Sequence, residues 1–332
     1  MSKMPFLPYR NNPTIDKYFM FSVGDLVQQR RRTEPARPIQ RLGPNLFAAN
    51  GIAVLIRYAN DKELRHLEQH KYRRCYYLID DDLKNLDTDD YLPIDYRFRL
   101  QHFHDTSLSR ILELATDVIT PNQRILTRFP DHRHHLLNPS HPHFSEDLSH
   151  FDKTDQIRIL YSGTRSHYQD LELVSDVLSE IAAANPAVQI TTFFGRHAPA
   201  ALKGKANIVH RKQARWPDYQ KVMATERFHL ALAPLIEANF NLGRSVNKIL
   251  DHAAFGAAGC YSSIDPIKSH ISDGINGFLV PPCQDKWLER MKDFLKDPKG
   301  AKMVAAEGIA LARKLADPQQ NRAFWTQHLD LG

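Results

Sequence analysis

The chain has 332 residues, of which 42% are hydrophobic and 25% charged, a balance that excludes general disorder and points to roughly two domains of ~150 residues. Its formal net charge is +6, a modest excess that suits an anionic ligand or an acidic membrane surface without demanding either. Three cysteines, Cys75, Cys260 and Cys283, are too few and too scattered for a disulfide framework or a cysteine-rich zinc site, which fits a reducing cytoplasmic setting. No apolar run approaches the ~18–20 residues of a membrane span. The opening MSKMPFLPYRNNPTIDKYF has neither the apolar core nor the small-residue site of a secretory signal.

In chain order, QQRRRTEPARP (28–38) reads as an exposed basic loop; Arg30, Arg31 and Arg32 are read as solvated rather than as a nucleic-acid or lipid contact. The run Ile52 to Ile56 is a buried strand, and 60–74 has helical spacing at Leu64 and Leu67. CYYLI (75–79) is a second strand ending in Asp80, Asp81 and Asp82. A helix at 107–115 and a strand at 117–120 follow. Strands alternating with helices predict a mostly parallel sheet. Residues 130–156, broken by Pro130, Pro139 and Pro142, are expected to be the linker between domains. Its histidines (His132, His134, His135, His141, His143) lack the fixed spacing of a metal site.

The second half is more regular. Strands are expected at 157–163, 188–195, 207–210, 229–235, 259–263 and 277–280, and helices at 170–184, 216–224, 245–256, 284–296 and 298–315. This is an α/β doubly wound pattern, whose ligands lie beyond the carboxyl ends of the strands.

The informative segment is APLIEANFNLGRSVNKILDHAAFG (233–256). Ser245 suits a helix N-cap. Val246, Ile249, Leu250, Ala253 and Ala257 form one apolar stripe, which leaves Lys248 and Asp251 on the opposite side. A cation in the first turn opposes the helix dipole by roughly 0.3–1 kcal/mol. Arg244 stands just before the same terminus. Two cations there make sense around an anion such as a diphosphate, although solvated cations fit too. Asp251 reads equally as an acceptor for sugar hydroxyls or as a helix-surface carboxylate paired with Lys248. The turn SGTRSHYQD (162–170) brings backbone N–H groups to the sheet edge at Gly163 and Thr164, with Arg165 and His167 able to add charge; a plain loop is the alternative.

Residues 155–315 resemble the nucleotide-sugar-binding domain of GT-B glycosyltransferases, especially the group-1-like enzymes of surface polysaccharide synthesis. The resemblance is carried by the run from Leu232 to Gly256, by ISDGINGFLV (271–280), by the SGTRSHYQD turn and by FFG (193–195). It implies two Rossmann-like domains facing across a cleft. The N-terminal acceptor-side domain (1–145) is shortened, and the C-terminal domain (155–332) binds the donor. It implies sugar transfer from a nucleotide-sugar donor to a polysaccharide, glycan or lipid-linked acceptor. Arg244 and Lys248 would be the catalytic cations on the diphosphate. Gly163, Thr164, Arg165, Gly195, Asn241, Ser245 and Asp251 would bind the nucleotide sugar, with Gly195 leading toward the base pocket and Asp251 at the ribose. The first member of the family's spaced acidic pair is here Gly243, and Asn239, Phe240 and Asn241 would stand in for it. No cofactor is required, and a divalent cation is compatible with the reading but not expected. The implied setting is the cytoplasm, peripherally at the inner membrane face if the acceptor is lipid-linked. Nucleic acid is not a partner.

Two alternatives accompany this reading. A non-catalytic nucleotide-sugar or polyphosphate-binding protein would explain Gly243 and the short first half. A metal-dependent GT-A-type transferase would use Asp80–Asp82 to hold Mg²⁺ or Mn²⁺. If the reaction inverts configuration, Asp80, Asp82 or His104 is the candidate general base.

Overall fold

The computed structural model describes residues 11–28, 36–83, 86 and 92–332. The Arg30–Arg32 run lies outside these residues. Contacts divide the chain into two compact units. One comprises 1–84, 100–142 and 317–332, the other 85–99 and 143–316. A single cut between 145 and 155 therefore does not separate them: the end of the chain packs in the first unit.

In that unit, seven strands run in the order β1-β2-β3-β4-β5-β6-β7 among the described residues. They are β1 (Val27–Gln28), β2 (Ile39–Arg41), β3 (Leu46–Ala49), β4 (Ile52–Ile56), β5 (Arg74–Leu78), β6 (Asp117–Thr120) and β7 (Arg133–Leu136). From β4 to β7 all pairs are parallel, as expected from the alternating pattern, whereas β2-β3-β4 pair antiparallel. Every residue of β4 is buried, so its unbroken apolar run covers both faces of a central strand. β7 lies inside the segment read as a linker. Its side chains are mostly exposed at the sheet edge, and its histidines find separate partners: His134 meets the Phe129 carbonyl at 2.7 Å and His135 meets Asp117 at 2.8 Å. The core gathers Tyr18, Phe19, Phe47, Tyr76 and Trp325, the last from the terminal helix Pro318–His328. The Trp325 ring stands edge-on to Phe19 at 4.9 Å, and its Nε1 donates to the Tyr18 carbonyl at 2.7 Å.

The second unit contains six parallel strands: β8 (Ile157–Tyr161), β9 (Val188–Thr192), β10 (Ile208–His210), β11 (Leu230–Ala233), β12 (Ala258–Ser262) and β13 (Phe278–Val280). Their order is β10-β9-β8-β11-β12-β13. The expected 170–184 helix is two helices, Tyr168–Leu173 and Ser175–Ala184, meeting at Val174, yet its stripe of Leu171, Val174, Val177, Leu178 and Ile181 is wholly buried. These side chains join Ile159, Ile190, Leu232 and Trp287 in one core. No helix among the described residues is long and apolar enough to cross a membrane.

Candidate active site

The strand order of the second unit reverses between β8 and β11: β9 and β10 extend to one side, β12 and β13 to the other. Loops leaving the carboxyl ends of those two strands diverge and open a crevice, the usual ligand position in such sheets. The loop after β8 begins Ser162–Gly163–Thr164, and the loop after β11 runs from Pro234 to Val246.

Tyr161 folds back under the β8 turn, donating from its hydroxyl to the His167 carbonyl at 3.1 Å. A β-carbon at position 163 would overlap that ring, so the turn requires glycine. Opposite, the segment 239–246 is more ordered than expected. Asn239–Leu242 forms a short helix, and the longer helix is Asn247–Ala254. Ser245 does not occupy the N-cap position, which falls to Val246. Its hydroxyl instead accepts from Asn247 Nδ2 at 2.7 Å, bracing the bend just before the helix. Burial of Val246, Ile249, Leu250 and Ala253 against Tyr261, Ile309 and Ala312 fixes the helix rotation.

That rotation sends Lys248 across to the other loop, where its Nζ donates to Ser162 Oγ at 3.2 Å. The Arg244 guanidinium lies over the Phe240 ring at 4.8 Å, and its Nε donates to Asn241 Oδ1 at 3.3 Å. Asn241 is fully buried and its Nδ2 donates to the Ile236 carbonyl at 2.8 Å, so its amide organises the loop that carries Arg244. Asp251 is not on the helix surface: it is 8% exposed, with the Tyr219 hydroxyl 3.5 Å from its Oδ2. Burial, reinforced by Asp251, raises the Tyr219 hydroxyl well above its ordinary pKa and keeps it protonated.

His167 does not add charge. Burial, then the charges of Arg244 and Lys248, push its pKa down to about 4, so it is neutral near pH 7. Arg165 is half-exposed and paired with Asp95 at 2.9 Å. Thr164 shares a hydrogen bond with Ser166 at 3.1 Å. Gly195, at the end of β9, takes a left-handed φ of +50° and donates to the Arg211 carbonyl at 2.8 Å. The structure thus brings Ser162, His167, Tyr219, Arg244, Lys248 and Asp251 to one switch point. Ser162 and Tyr219 were not singled out from sequence. The hydroxyl that opens SGTRSHYQD was the available signal for the first, and nothing local marks the second.

The Asp80–Asp82 cluster ends β5 in the first unit, and guanidinium groups answer it. Arg57 donates to Asp80 at 3.0 Å and to Asp81, while Arg128 approaches Asp82 at 3.5 Å. Arg57 has a φ of +64°, a conformation that costs a non-glycine residue energy and aims its side chain across the end of the sheet. Burial outweighs Arg57 and raises the Asp80 pKa. These contacts are those of a structural ion-pair network and do not favour the GT-A reading. His104 is half-buried beside Asp105 at 2.9 Å.

No protein-family model matches the chain. No curated protein sequence matches it either. Solved structures do. The chain is similar to Alr3699/HepE of Anabaena in complex with UDP-glucose, with a TM-score of 0.57 and 16% identity over 83% of this chain and 79% of that one. It is similar to sucrose-phosphate synthase from Thermosynechococcus elongatus, with a TM-score of 0.60 and 13% identity over 85% and 73%. A third is TarM, with a TM-score of 0.56 and 12% identity, of which the chain spans about half (54%). The fold shared with these structures is the two-sheet GT-B architecture.

Proposed function

We propose that this chain of GT-B fold is a glycosyltransferase that takes a sugar from a nucleotide-sugar donor and passes it to a polysaccharide, glycan or lipid-linked acceptor. The observation that carries the reading is the meeting of Lys248 with Ser162 across the β8–β11 switch point, with Arg244 held by Phe240 and Asn241 on the loop that leads into the same helix. Two cations held at the divergence of the central strands provide what a departing nucleoside diphosphate needs. As the glycosidic bond breaks, negative charge grows on the diphosphate, and fixed, partly buried cations stabilise that charge more than they stabilise the ground state. The tethers matter for this role: Phe240 and Asn241 hold the guanidinium and Ser162 holds the ammonium before any ligand arrives, which spares the reorganisation cost. Asp251, buried with Tyr219, offers a carboxylate to donor hydroxyls, and Gly195 leaves room at the end of β9 for the base. Solved structures of similar fold include complexes with UDP-glucose and with UDP and GlcNAc, which supports a donor of this class.

Arg244 and Lys248 supply the charge that a divalent cation supplies in other transferases, so transfer should survive chelation with EDTA. We place the protein in the cytoplasm, meeting the inner membrane face where the acceptor is lipid-linked.

The test is isothermal calorimetry with nucleoside diphosphates, beside transfer and hydrolysis assays on a panel of nucleotide sugars. Arg244→Ala and Lys248→Ala should each weaken diphosphate binding about 10- to 100-fold, the loss of one charge-assisted contact of ~1.5–3 kcal/mol, with the melting temperature nearly unchanged. Unaltered affinity in both variants removes the basis for the site. Tight donor binding without turnover in any acceptor mixture favours a binding protein instead.

A further inference from the structure

Asp170 is completely buried, and both its oxygens are engaged across the switch point. Its Oδ1 accepts from the Ile236 N–H at 3.0 Å, in the loop after β11. Its Oδ2 lies 2.9 Å from His167 Nδ1, in the loop after β8. One carboxylate therefore ties the two walls of the crevice together. It also settles the histidine. A carboxylate only accepts, so Nδ1 carries the proton and Nε2 keeps a lone pair. His167 is further held through its carbonyl by Tyr161 and through its N–H by the Thr164 carbonyl at 2.8 Å. Its side chain remains 15% exposed. The charged groups acting on the ring are Asp170, Arg244 and Lys248, and the two cations, together with burial, keep it neutral.

A neutral ring with an accepting nitrogen is an unsuitable partner for a phosphoryl oxygen, because both are acceptors. It suits a hydroxyl. Beside two cations, the complementary ligand is one that carries phosphoryl groups and hydroxyls together. We propose that Asp170 is a positioning residue that presents His167 Nε2 as an acceptor to a hydroxyl of the bound donor, leaving phosphoryl recognition to Arg244 and Lys248. This rests on the donor-binding reading above. The hydroxyl belongs either to the ribose or to the transferred sugar.

Asp170→Asn separates the possibilities. The amide oxygen can still accept from Ile236, but its NH₂ then faces Nδ1 and drives the ring proton to Nε2, so the ring becomes a donor where it was an acceptor. Calorimetry would compare inorganic pyrophosphate, the common nucleoside diphosphates and their glucose conjugates on wild type, Asp170→Asn and His167→Ala. The expected result is pyrophosphate affinity held within twofold and nucleotide-sugar affinity reduced at least fivefold in both variants. A matching loss for the nucleoside diphosphate assigns the ribose hydroxyl; a loss confined to the conjugate assigns the sugar. Equal losses for all three ligands, or none, overturn the proposal. Should Asp170→Asn fail to fold, His167→Ala decides by the same comparison. Ring ¹⁵N shifts of wild-type His167, identified by their loss in His167→Ala, should report a protonated Nδ1 and a bare Nε2; the reverse tautomer overturns the proposal without any ligand. Wild type that binds none of the three ligands defeats the donor reading itself, whereas wild type that binds while the variants lose affinity uniformly defeats only the role of Asp170.

Discussion

Single side chains in this protein carry costs that neighbouring groups do not relieve. His252 is 1% exposed, stacks on Tyr261 at 5.1 Å, and neither of its ring nitrogens meets a hydrogen-bond partner. Burial, aided by Lys248, pushes its pKa down to about 3, and burial lowers His150 to about 4 alongside His167 at about 4. All three have a folded pKa below the unfolded value of ~6.5. The unfolded chain therefore binds their protons first, and the native state gives up stability as pH falls from ~6.5 toward 4. Urea midpoints measured from pH 7.5 to 4.5 should decline over that window, and His252→Phe should flatten the decline while raising the midpoint at pH 7. An unchanged pH slope in His252→Phe would refute this account. Sequence alone placed Lys248 and Arg244 together, because their numbers put both at one helix start. It missed the neutrality of His167, since nothing in the order of residues announces that the ring is buried under the influence of Arg244 and Lys248.

At the scale of elements, strands buried on both faces were legible: β4 and β11 are unbroken apolar runs, β8 is interrupted only by Arg158, and helix Gln284–Lys296 shows its apolar face by spacing. Elements that keep their side chains in solvent were not. β7 reads as RHHL and holds its place through backbone pairing with β6 and the bond from His135 to Asp117, not through an apolar face. The short helix Asn239–Leu242 follows from the buried Asn241 amide, a tertiary contact that local propensity does not encode. Helix Asp61–Gln69, by contrast, announces its start. Asn60 accepts from the Lys62 and Glu63 N–H groups at 2.9 and 3.0 Å, and Glu63 returns the bond to the Asn60 N–H at 3.0 Å. Asn60→Ala should cost ~1 kcal/mol in chemical denaturation, and Asn60→Asp should recover most of it.

For the molecule as a whole, the two-domain count came from chain length, and the doubly wound second sheet from the alternation of strands and helices. The assignment of the final helix did not, because an amphipathic segment does not declare which core it serves. Trp325 contributes to the first unit through Phe19, Tyr76 and the Tyr18 carbonyl. Asn321 adds a bond to the Asn138 carbonyl at 2.8 Å, and Arg322 grips Asp25. Trp325→Ala should therefore destabilise the first unit by ~3–5 kcal/mol, the usual penalty for truncating a buried aromatic. Hydrogen exchange followed by peptide should show faster opening in β3, β4 and β5 while β8 to β12 keep their protection; uniform loss in both sheets would contradict this.

The return of residues 317–332 to the opening unit sets the order of events on the ribosome. Residues 143–316 supply a complete sheet with its own core, and they are free to settle while the last helix is still inside the exit tunnel. The earlier-made portion must wait, its tryptophan socket unfilled, until residues 317–332 have been made. Synthesis thus runs in one direction and maturation in the other, so the loss of residues 317–332 strikes hardest at the half that was made first.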